Sequence, residues 1–103
     1  MPKAPDRHIY GEVNSESSLR EVFLDIRKDI ESARSREALT ELHRRAGYMI
    51  TLTYAPSWQE KFGAKAASLR KVAEEEFAKT ARKINRRAKA IGVAADYDER
   101  WGA

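Results

Sequence analysis

Leu19, Val22, Phe23, Ile26, Ile30 and Ala33 recur at three- and four-residue spacings with polar residues between them. At 100° per residue they fall within an arc of about 100°, the width of one core-facing helical stripe. The pattern predicts a helix over about 18–33, opened by Ser18-Leu19-Arg20-Glu21, which has the spacing of a capping box. The next apolar residue, Leu39, is roughly 160° out of phase with that stripe, so the chain must kink or turn near Ser32 to Ser35. With Ser35 as cap, a second stripe of Leu39, Leu42, Ala46, Met49, Ile50 and Thr53 predicts a helix over about 36–55. Met49 to Tyr54 also alternates like a strand, but no other strand-like run exists to pair with it, which favours the helix. Gly47 weakens that helix by about 1 kcal/mol relative to alanine.

Pro56 disfavours helical geometry at Ala55 and closes the second helix, and Ser57-Trp58-Gln59-Glu60 offers another capping box directly afterwards. From Trp58 the pattern continues without proline to Ile91, with Phe62, Ala66, Leu69, Ala73, Phe77, Thr80, Ile84, Ala88 and Ile91 in a near-heptad alternation. Gly92 follows where helices commonly end in a left-handed residue. One unbroken helix over 58–91 would be roughly 51 Å long.

The expected fold is therefore all-α: a helical hairpin with a long C-terminal helix plus an N-terminal helix over 18–92, an N-terminal arm over 1–17 and an acidic, aromatic tail over 93–103. In the arm, Ile9, Tyr10 and Val13 are candidates to dock. The first helix can lie in line with the second along the long rod, or fold back to complete a three-helix bundle with the basic end protruding. Both layouts stay open. The in-line layout leaves its stripes partly wet and calls for a second copy of the chain, completing a four-helix bundle. Leu24, Tyr48 and Leu52 sit off the main stripes and, with Trp58 and Trp101, are the candidate interface residues. The competing reading is that isolated exposed apolar residues are ordinary. For Trp58, sealing the hairpin turn beside Tyr54 is the favoured role. Trp101 either docks on the protein's own helices or inserts into another protein's pocket.

Composition sharpens this in two ways. Leu, Ile, Val and Phe make up only about 18% of the 103 residues, thin for a globular core, yet their strong periodicity argues against disorder. The absence of cysteine excludes disulfides, thiolate metal sites and cysteine nucleophiles. No apolar run approaches the ~20 residues that span a bilayer, and the N-terminus lacks the apolar core of a signal peptide, which makes the cytoplasm the expected location.

The net charge of +4 is concentrated. Lys79, Arg82, Lys83, Arg86, Arg87 and Lys89 are the only charges in 79–91 and span an arc of about 160° opposite the apolar stripe, with Asn85 between the two faces. Such a face suits a phosphate backbone, but a solvated helix end or a protein partner, with the acidic tail folding back against it, is the favoured reading. An anionic membrane surface is disfavoured, because the opposite face is needed for the core.

Catalytic chemistry finds little footing. His8 and His43 form no metal-binding pair, and Glu74-Glu75-Glu76 points three ways, a solvated run in which Glu75 can pair with Lys79. His43 falls beside the second stripe. There is no nucleophile elbow and no glycine-rich phosphate loop. Arg70, inside the apolar arc, either pairs with Asp25 or Asp29 or extends over the core edge into water. The reading is a non-enzymatic interaction or regulatory module without metal or cofactor, binding a protein partner and self-associating as a homodimer. The alternative is a nucleic-acid-binding accessory protein that uses the six basic residues.

Overall fold

The predicted stripes are buried in the computed structural model, which describes residues 13–101, with only Phe62 and Ile91 at the ends of the third stripe half-buried. Ile9, Tyr10 and His8 of the expected arm lie outside the described residues. The elements are α1 (Glu16–Ile30), α2 (Arg36–Leu52), a short α3 (Pro56–Phe62), one 3-10 turn (Gly63–Lys65) and α4 (Ala66–Ala90). The fold is an all-α three-helix bundle measuring 44 × 26 × 24 Å. Arg20 and Arg27 of α1 meet Glu76 of α4, and farther along Glu31 meets Lys83 and Ala33 meets Arg87, so α1 and α4 run parallel. Thr53 meets Arg70 while Thr40 reaches Tyr97 beyond the end of α4, so α2 runs antiparallel to both. The first helix thus folds back beside the second, and the in-line layout that called for a second copy does not form. The stripes cover one another within the chain, with Leu19, Phe23, Ile26, Leu39, Phe77 and Ile84 at its centre.

The caps depart from expectation in instructive places. α1 begins three residues early because Ser15, not Ser18, is the N-cap. Ser15 Oγ accepts from the Ser18 amide at 3.1 Å and Ser18 Oγ accepts from the Ser15 amide at 3.0 Å, so serine fills the place usually taken by Glu or Gln in a capping box. Ser35 caps α2 as predicted. α2 continues through Leu52, which settles Met49 to Leu52 as helix. The Thr53 carbonyl at its C-terminal cap is met by Arg70, whose Nε and Nη2 donate to it at 3.2 and 2.8 Å while its guanidinium stacks 4.2 Å over the Tyr54 ring. This corrects the expected partners: Arg70 pairs with a helix end rather than with Asp25 or Asp29.

The unbroken helix over 58–91 is also corrected. Gly63 adopts φ 53°, ending α3, and the 3-10 turn restarts the chain as α4, so the rod is about 37 Å rather than about 51 Å. The Ser57 capping box does not form, because Pro56 occupies the first helical position, where its fixed φ and missing amide are tolerated. Trp58 fills the elbow: its Nε1 donates to the Ala66 carbonyl at 3.2 Å and its ring lies 4.5 Å from Phe62, not against Tyr54.

At the far end α4 closes in a Schellman motif. The Val93 amide bonds to Ala88 O at 2.8 Å, the Gly92 amide to Lys89 O at 3.2 Å, and Gly92 takes φ 78°. Gly92→Ala is expected to lower the unfolding free energy by about 1 kcal/mol through that left-handed conformation, read from urea midpoints. An unchanged midpoint would contradict it.

Candidate functional site

The six basic residues of the last helix remain on one side of α4, but most have work inside the molecule. Lys79 lies 3.6 Å from Glu76, Arg82 pairs with Glu99 of the tail at 2.9 Å, Lys83 pairs with Glu31 at 2.9 Å, and Arg87 Nε donates to the Ala33 carbonyl at 2.9 Å. The hydrogen bond and charge of Lys83 hold the Glu31 carboxyl below its ordinary range. Arg86 and Lys89 are exposed and have no polar partner among the described residues. Arg86 lines a shallow cleft of about 420 Å³ with Ile30, Glu31, Lys83 and Arg87.

The expected solvated glutamate run is corrected at one position. Glu76 is 3% exposed and faces α1, where Arg20 Nη1 meets its Oε2 at 2.8 Å and Arg27 Nη1 meets its Oε1 at 2.9 Å. Lys79 accordingly serves Glu76 rather than Glu75.

The five candidate interface residues do not form one exposed patch. Leu24 stands 48% exposed on α1, Tyr48 and Leu52 are half-buried, Trp58 is buried in the elbow, and Trp101 is docked on the bundle yet still 38% exposed. Among the described residues Tyr54, at 62%, is the most exposed large apolar one.

A more organised surface lies between α2 and α4, where the tail runs back along the bundle. Asn85 reads its backbone at two points: Nδ2 donates to the Tyr97 carbonyl at 2.9 Å and Oδ1 accepts from the Tyr97 amide at 2.7 Å. The Tyr97 hydroxyl lies 2.8 Å from Thr40 Oγ1 and 3.3 Å from the Arg36 carbonyl. His43 Nε2 stands 2.9 Å from the Asp98 carbonyl, a contact that requires the proton on Nε2. The same imidazole is ringed by Phe77, Tyr97 and Trp101, at 5.2, 5.1 and 5.4 Å between centroids. The Trp101 indole lies over Gly47, where an added Cβ would overlap the ring. Beside it opens a cleft of about 440 Å³ lined by Ile50, Tyr54, Glu74, Phe77, Glu99, Arg100 and Trp101.

Asn85, His43, Thr40 and Gly47 were not singled out by sequence as a site. The one available signal was Gly47, since a glycine inside a helix marks a place where another group approaches closely. Among the described residues, no group of three or more His, Asp or Glu side chains could hold a metal ion, and no helix is long and apolar enough to cross a membrane. Compared with known protein families, curated proteins and solved structures, the chain matches none.

Proposed function

We propose that this protein is a non-enzymatic interaction module that binds a protein partner, with the α2–α4 groove as its contact surface. The observation that carries this reading is the way the groove holds an extended stretch of polypeptide: Asn85 and His43 bond main-chain atoms of Tyr97 and Asp98, contacts that any extended peptide can make. Polar reading of a backbone beside an aromatic seat is the usual anatomy of a peptide-binding surface. The test is a photoreactive phenylalanine analogue in place of Tyr54, on the groove's rim, and in place of Glu75, on the outer side of α4, in cells of the native host. Discrete adducts with a protein at position 54 and none at 75 are expected. Adducts at neither position would overturn the reading.

A second reading, phosphate-backbone binding, is favoured by Arg86 and Lys89, which are exposed and unpartnered among the described residues. On that reading a labelled duplex binds at low salt, loses affinity steeply as salt rises, and is released by Arg86→Ala with Lys89→Ala. Absence of binding at low salt would remove it.

A further inference from the structure

We propose that the α2–α4 groove recognises an acidic segment of a protein partner that bends just before a tryptophan, and that the chain's own residues 93–101, which bend at Glu99 and Arg100, occupy it as a tethered competitor. The inference rests on the protein-partner reading above and names both the partner's chemistry and the regulation.

The chemistry follows from what the groove asks of its occupant. Asn85 and His43 ask only for extended backbone, whereas three side-chain seats select residues two apart: Tyr97 at Thr40 and Arg36, Glu99 at Arg82, and Trp101 over Gly47. The Gly47 seat is shaped by the missing Cβ, because any side chain there would displace the indole. Arg82 supplies a charge-assisted contact at 2.9 Å, which selects an acid two residues before the aromatic.

The tail is also built to leave. Val93 completes the Schellman closure of α4, and beyond it, from Asp96 onward, the tail's contacts to the bundle are made by side chains or by main-chain atoms bonded to side chains. No backbone hydrogen bond of α2 or α4 has to open to release it. Trp101 remains 38% exposed in its seat, and the cleft beside it gives a longer aromatic segment further surface to cover. A tethered occupant competes at an effective concentration on the order of millimolar, so an untethered segment of similar affinity is strongly disfavoured until the tail is displaced.

The experiment uses the 103-residue chain and a fluorescent peptide with the sequence of residues 93–103. Fluorescence polarisation is expected to show the peptide binding the Tyr97→Ala, Trp101→Ala chain at least tenfold more tightly than the intact chain. Adding Gly47→Ala to that double variant is expected to abolish binding while circular dichroism reports an intact helical fold, since alanine favours helix at that position. In the otherwise intact chain, Gly47→Ala is expected to shift Trp101 emission to the red, with Trp58 buried and constant. Equal binding to the intact and double-variant chains, or binding that survives Gly47→Ala, would overturn the proposal. So would displacement of the peptide by duplex DNA at low salt, which would assign the groove to nucleic acid. An intact chain that scatters light as a dimer and becomes monomeric on Gly47→Ala would also overturn it, because the groove would then hold the tail of a second copy. Position-54 adducts in cells alongside failed peptide binding would leave the interaction module standing and remove only this occupant.

Discussion

Glu76→Ala is expected to lower the unfolding free energy by about 3 kcal/mol, read from urea denaturation at neutral pH. The carboxylate is 3% exposed and each oxygen is held by a different arginine of α1. Arg27 also donates to Thr80 Oγ1 at 3.2 Å, and that hydroxyl donates in turn to the Glu76 carbonyl at 2.8 Å. Removing the carboxylate leaves Arg27 charged between α1 and α4 with only weaker acceptors. Breaking a buried pair from one side costs about 3–5 kcal/mol, and the lower end applies because Arg20, the more exposed partner, can turn to water. Glu76→Leu combined with Arg27→Met removes both charges and is expected to cost less than Glu76→Ala alone. A loss below about 1 kcal/mol for Glu76→Ala would contradict this account.

The same carboxylate sets a pH dependence. Burial alone would raise the Glu76 carboxyl, but the hydrogen bond and charge of Arg27, with Lys79 and Arg20, outweigh it and hold the group below its ordinary value. On α2 the Arg44 hydrogen bond, opposed by partial burial and reinforced by Arg45, holds Glu41 at about 2. Both are depressed in the folded state, so the stability they contribute is present above the unfolded value of 4.5 and is lost as pH falls through the folded values. Unfolding free energy should therefore decline from about pH 5 to about pH 2, and decline less steeply in the Glu76→Ala chain. Equal slopes would show that Glu76 is not part of the acid response.

Phe77→Ala is expected to be at least as damaging, costing about 3–5 kcal/mol, which in a domain of this size lowers Tm by about 15 °C or more. The ring is 1% exposed and stands where the three-helix core meets the tail's seat, 5.2 Å from His43 and 6.0 Å from Trp101. Its loss opens a cavity and unseats the indole together. Phe77→Leu separates the two effects: it keeps most of the volume, costs less than about 1.5 kcal/mol, and still red-shifts the tryptophan emission. A thermal melt displaced by only a few degrees in Phe77→Ala would show that the core there collapses around the gap.

The consequence for function is that the basic helix end is largely a structural device. Lys83 and Arg87 tie the link between α1 and α2 to α4, and Arg82 ties down the tail. Of the six, Arg86 and Lys89 have no polar partner among the described residues, and on the reading proposed above the groove carries the recognition chemistry.

Periodicity and punctuation were enough to determine the three long helices, their buried faces, the Ser35 cap and the glycine closure at Gly92, because a stripe and a cap are local properties that follow from 100° per residue and from unsatisfied amides. The break at Gly63 was hidden because Phe62 and Ala66 stay in register across it, so the stripe looks continuous although the backbone is not. Only the tertiary structure decided that α1 lies beside α2, that Glu76 turns inward, and that Asn85, His43 and Gly47 converge on the tail. Those outcomes depend on groups up to 56 residues apart in the chain, as Arg20 and Glu76 are, meeting at distances that no local spacing encodes.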